Sequence, residues 1–166
     1  DTLAPVVKTR DVILFLNASG AANLTAEQAD DGSTDNCGIL RRELSRSSFG
    51  CSDTGQHTVT FTLTDASGNR ASATLLVTVR DTVQPVARTQ NVILELSDAG
   101  TASLTAEEVD NASSDNCGIA SMALSQTLFS CEDLGSRLIT LTVTDMNGNM
   151  ATEKAEVLIR DPEGIC

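Results

Sequence analysis

Sliding the sequence against itself by 80 residues superimposes Asp1 on Asp81, Pro5 on Pro85 and Arg80 on Arg160 with no gap. Somewhat under half of the paired positions are identical, so the chain reads as two consecutive copies of one folding unit, 1–80 and 81–160. Asp161 opens a segment, 161–166, that is either the start of a truncated third unit or a terminal tail. The pattern fails there, and Cys166 has no counterpart.

Within each copy the strongest period is two. In "HTVTFTLTD", Val59, Phe61 and Leu63 face one way and Thr58, Thr60, Thr62 and Thr64 the other, and Ile139, Leu141 and Val143 repeat the scheme. That alternation predicts an antiparallel strand with one dry and one wet face. Leu75, Val77 and Val79, matched by Ala155, Val157 and Ile159, predict the next strand, so "DASGN" and "DMNGN" become tight hairpin connections. Val12, Leu14 and Leu16, with Val92, Leu94 and Leu96, form a further alternating row. "LTAEQA" and "LTAEEV" are long enough for one helical turn but read as loop. The fold class is therefore all-β, with two tandem Greek-key sandwiches.

Units this small bury only about 60% of their unfolded-chain surface. With four Phe and no Trp or Tyr, the cores must be built from Val, Ile, Leu and Ala, and such cores gain from a covalent or metal staple. A net charge of −12 without a basic stripe argues against nucleic acid and against anionic membrane surfaces, and favours cations. No apolar run approaches a membrane span, so no membrane insertion is expected.

Four of the five cysteines belong to the repeat: Cys37 and Cys51 recur as Cys117 and Cys131. Independent units rarely share a framework, so the expectation is one disulfide inside each copy, contributing about 3 kcal/mol in the chain-entropy account. Reduced buried thiols are the alternative. A disulfide would also place the protein outside a reducing cytosol.

Acidic and amide residues gather at three places in each copy. They are the start (Asp1; Asp81), the long polar loop (Asp30, Asp31, Asp35, Asn36; Asp110, Asn111, Asp115, Asn116) and the hairpin (Asp65, Asn69; Asp145, Asn149). In a sandwich whose last two strands form that hairpin, its tip lies where the chain enters, so all three clusters can converge there. Calcium takes six to eight hard oxygens from carboxylates, amides and carbonyls, and one Ca²⁺ per entrance is the expected cofactor. Asp and Asn acting only as turn formers is the plainer alternative.

The run "TDASGNRASATLLVTVRDTVQP" resembles the end of one hyalin-repeat (HYR-like) domain and the start of the next. "SDNCG", the second Cys after "SF" or "LF", and the period resemble the version found in long surface adhesins of Bacteroidota. The resemblance implies an immunoglobulin-like fold and a role in cell adhesion at an extracellular surface. In such bacteria Asp-Thr before an aliphatic residue also resembles an O-glycosylation acceptor, which selects Thr2 and Thr82.

The function expected is a structural stalk, in which neighbouring copies of the same repeat are the immediate partners and a surface receptor lies beyond them. One alternative is the subunit of a filament that polymerises end to end. Another is a carbohydrate-binding or spacer module of a secreted enzyme, although sugar sites usually use the aromatic platforms missing here. The chain itself is not expected to be an enzyme. His57, the single histidine, aligns with Arg137 among strand threonines, and no nucleophile elbow or phosphate loop is present.

Overall fold

The computed structural model describes residues 1–166 and divides into two compact units, Asp1–Thr82 and Val83–Cys166. The six residues after Arg160 are part of the second unit.

The first unit contains six strands: β1 Val12–Phe15, β2 Ala21–Asn23, β3 Ile39–Leu44, β4 Ser48–Gly50, β5 Gly55–Asp65 and β6 Arg70–Arg80. They form a four-stranded sheet in the order β1-β6-β5-β3 and a two-stranded sheet of β2 and β4. β5 and β6 form the long antiparallel hairpin, with Gly55 opposite Val79 at one end and Thr64 opposite Arg70 at the other. The alternation of β5 decides which face is buried: Val59, Phe61 and Leu63 are at most 1% exposed, while the threonines between them stay partly wet. Leu75, Val77 and Val79 of β6 join them, and Leu24 and Phe49 close the core from the two-stranded side. Each such side chain contributes about 1.5–3 kcal/mol on burial.

The second unit repeats this with β7 Val92–Glu95, β8 Thr101–Ser103, β9 Ile119–Leu124, β10 Leu128–Ser130, β11 Gly135–Asp145 and β12 Met150–Arg160, in the sheet orders β7-β12-β11-β9 and β10-β8. Its buried cluster draws Ile139, Ala155, Val157 and Ile159 from the large sheet and Phe129 from the small one, with Leu96, Leu104 and Val109 from the connections.

One local feature differs from the sequence reading. The segments read as loop contain short helices, α1 Ala26–Ala29 and α2 Ala106–Val109. In the first, the Gln28 amide N–H donates to Thr25 Oγ1 and the Thr25 N–H donates to Gln28 Oε1, a reciprocal cap that starts a turn too short for periodicity to reveal. The opening row, β1, pairs parallel with β6, Val12 opposite Val77. Before reaching β6, the entering chain bridges the polar loop at Val6 with Thr34 and at Thr9 with Asp30. That loop is thereby held beside the point of entry.

Candidate metal centre

The geometry of one unit follows from the length of its hairpin. At about 3.3 Å per residue, the 11 residues of β5 separate its ends by about 30 Å. The turn after Asp65 marks the entry end, where the Asn69 amide donates to the carbonyls of Asp1 (3.3 Å) and Leu3 (3.1 Å). Gly55, paired with Val79 near Arg80, marks the exit end.

Asp65 is fully buried at the entry end. Its Oδ1 accepts the backbone N–H of Ser67 and of Asn69, both at 2.8 Å, and its Oδ2 accepts Asn69 Nδ2 at 2.7 Å. Burial works against the charge, yet these bonds, led by the Asn69 side chain, hold the carboxyl below its ordinary range. Asp145 is built the same way from Asn147 and Asn149 and is likewise lowered against burial. Asp35 comes from the polar loop, where its Oδ1 accepts the Cys37 N–H at 2.9 Å. Asp1 Oδ1 accepts the Leu3 N–H at 3.0 Å.

Asp1, Asp35 and Asp65 each place one carboxylate oxygen so that all three lie within 4.8 Å of one another. Asp81, Asp115 and Asp145 do the same in the second copy of the repeat. Two oxygens bound to one calcium at about 2.4 Å lie no more than about 4.8 Å apart, so the spacing fits a shared coordination sphere. Asp35 Oδ2 and its counterpart Asp115 Oδ1 are buried without a hydrogen-bond donor. Each is an acceptor removed from water and left unpaired among carboxylates, at a cost that a cation would relieve. The set supplies three carboxylates, leaving further positions for carbonyls or water.

The remaining residues of the expected ligand set have other roles. Asp30 caps the loop by accepting the Ser33 N–H at 2.9 Å and pairs with Arg42, while Asp110 accepts the Ser113 N–H. Asp31 and Asn111 are exposed, and their N–H groups donate to Lys8 and Arg88. Asn69 and Asn149 turn their amide N–H toward Asp65 and Asp145, so they position carboxylates. Asn36 donates to Cys37 Sγ at 3.5 Å, and Asn116 Oδ1 is buried beside Asp115. Thr2 and Thr82 are exposed. His57 lies against the Phe49 ring and contacts the Asp53 carbonyl at 2.7 Å, a packing position.

The cysteine pairing differs from the expected one bridge per copy. Cys37 is a free, exposed thiol, and Cys51 and Cys117 are disulfide-bonded. Cys131 bonds Cys166, with their Cα atoms 5.5 Å apart. The reason is distance. Cys37 follows Asp35 at the entry end, whereas Cys51 sits at the exit end with its Sγ 3.7 Å from the Gly20 carbonyl. A disulfide needs Cα atoms within about 7 Å. The same argument separates Cys117 from Cys131, whose Sγ lies where a Cβ on Gly100 would be 3.1 Å away.

Residues 1–79 match the family model of the HYR domain. No curated protein sequence matches the chain. Solved structures that resemble it include protocadherin gamma B7 extracellular cadherin domains 1–4, at 14% identity and TM-score 0.42, covering 97% of this chain and 52% of that one. Drosophila N-cadherin EC1–4 matches at 13% identity and TM-score 0.45, covering 96% of this chain and 50% of that one. The Clostridium thermocellum CbhA fibronectin(III)-like modules match at 11% identity and TM-score 0.34, over 95% of this chain and 94% of theirs. The chain thus spans about half the length of the two cadherin structures.

Proposed function

Residues 1–79 belong to the HYR domain family, and from that premise we propose that the two copies are immunoglobulin-like Greek-key structural repeats of an extracellular adhesion protein, each binding Ca²⁺ at its entry end. The observation that carries the cation reading is Asp35 Oδ2, buried, without a donor, and part of a residue grouped with Asp1 and Asp65. At an effective dielectric of about 20, like charges 4.8 Å apart cost about 3 kcal/mol per pair. A divalent ion removes that repulsion and ties three segments distant in sequence: the entering chain, the polar loop and the hairpin.

In this reading the ion's work is mechanical. Asp1 and Asp81 lie at the start of their copies of the repeat, so coordination fastens the entering segment of each copy to its polar loop and its hairpin. No chemistry on a substrate is needed, and the chain acts as a structural module at the cell surface, outside the cytosol, where disulfides persist. Glycosylation at the exposed Thr2 and Thr82 would fit the same setting.

Chelation gives the test. At a hundredfold excess over Kd, calcium should add about 2.7 kcal/mol to each unit, or roughly 10 °C or more in Tm for domains of this size. A melting temperature identical in millimolar calcium and in excess chelator would remove the cation from the account.

A further inference from the structure

Of the four cysteines that recur with the repeat, Cys51, Cys117 and Cys131 are disulfide-bonded, and Cys37 is the exception. Cys117 occupies the same place in the second copy as Cys37 in the first, after the same Asp-Asn pair and before the same glycine. The position is thus one that forms a disulfide when a partner is available, and in the first copy it presents an exposed thiol at the entry end.

The far end of the second unit carries the complementary group. The Cys131–Cys166 disulfide joins the exit end of that unit to the closing segment, and both cysteines are exposed. Asp161 shapes the segment by accepting the N–H of Ile165 at 3.1 Å and of Cys166 at 2.9 Å. Cys131 stands in the body of the unit at the position equivalent to Cys51, whereas Cys166 lies outside the repeat. An entry-end thiol and an exit-end disulfide on one chain form a head-to-tail pair.

We propose that Cys37 of one copy of this chain attacks the Cys131–Cys166 disulfide of a second copy and links the two covalently. The Cys37 thiolate attacks Cys131 Sγ, a Cys37–Cys131 bond forms, and the Cys131–Cys166 bond breaks with its electron pair leaving on Cys166 Sγ. The proton lost from Cys37 is replaced by one taken up at Cys166. One thiol and one disulfide are consumed and one of each is formed, so no external oxidant is needed. Each product still carries an entry-end Cys37 at one terminus and an exit-end disulfide at the other, so the step repeats. This goes beyond the cation-binding reading and does not depend on it.

The test uses the purified intact chain at millimolar concentration without reductant, because the released Cys166 competes from within the same molecule at a comparable effective concentration. Non-reducing electrophoresis should show a ladder extending past the dimer that dithiothreitol collapses, with one free thiol per chain retained throughout. Peptide mapping should place the link between Cys37 and Cys131. C37S should keep its Tm, since the side chain is exposed, and form no ladder. In C166S, oxidised glutathione should restore the Cys37–Cys131 link by supplying the missing disulfide. Monomer alone in every condition would overturn the proposal, as would dimers joined Cys37 to Cys37 with both thiols lost. Neither result would alter the calcium-dependent Tm, which reports separately on the carboxylate site.

Discussion

Positions 1–80 carry seven Lys and Arg against nine Asp and Glu, whereas positions 81–160 carry four against twelve. The first copy pairs its basic residues across its surface: Arg42 with Asp30, Arg46 with Asp53, and Arg41 and Arg70 with Glu43. In the second copy Met122, Gln126, Ser121 and Met150 stand at those four places, and the ion pair found is Arg137 with Asp133. Arg46 also lies 4.6 Å from the centre of the Phe49 ring, a contact Gln126 cannot make with Phe129. Beneath this divergence the buried rows, the hairpin register and the carboxylate cluster recur. Exposed ion pairs contribute about 0–1 kcal/mol each, so they drift between copies at little cost, while the core and the entry site do not.

The widest effect that would test this division lies in the core. Phe61 and its counterpart Leu141 are both fully buried. Phe61→Ala should cost the first unit about 3–5 kcal/mol, and Leu141→Ala should cost the second about 2–5 kcal/mol. Denaturation followed by a probe in each unit should show one transition moving while the other holds; both moving together by the full amount would mean that the units do not fold separately.

Next comes acid. Asp65 and Asp145 are held below the ordinary carboxylate range by hydrogen bonds that exist only in the fold. A lowered folded pKa stabilises at pH above the unfolded value and loses that contribution as pH falls through the folded one. Metal-free protein should therefore keep the contribution above about pH 4 and lose it progressively below, in both units alike. D65N should flatten the acid limb of the first unit only, measured as Tm against pH.

A smaller effect separates the copies at a single backbone position. Gly32 has φ 81°, and its counterpart Ala112 holds φ 61°, left-handed backbone that costs a side chain about 1 kcal/mol. Ala112→Gly should raise the stability of the second unit by about that amount and Gly32→Ala should lower that of the first. Equal Tm for each variant and its parent would show that the loop relaxes around the side chain.

The sequence reading carried furthest where one period could decide. Alternation in Val59–Phe61–Leu63 and the turn after Asp65 are enough to place β5, β6 and the hairpin. It stopped where three-dimensional distance decides: a spacing of fourteen residues between Cys37 and Cys51 does not reveal that β3 carries the chain away from the entry end and β4 leaves it at the other. The same limit applies to the acidic loop. Asp30 and Asp35 look equivalent in a polar run, but Asp30 is turned to Ser33 and Arg42 and Asp35 to the carboxylate cluster. The segment of α1 read as loop because a helix of four residues has too little pattern to show, and the reciprocal cap of Thr25 and Gln28 became visible only in the structure.

Calcium stoichiometry by isothermal titration of the reduced and the oxidised chain measures the central claim most directly. Two ions per chain are expected, one after D65N or D145N and none after both. The second copy should bind more tightly, because Asp81 is buried where Asp1 is exposed and the field around it is more negative. Titration to millimolar calcium with no heat of binding, or with heat unchanged by either substitution, would contradict it.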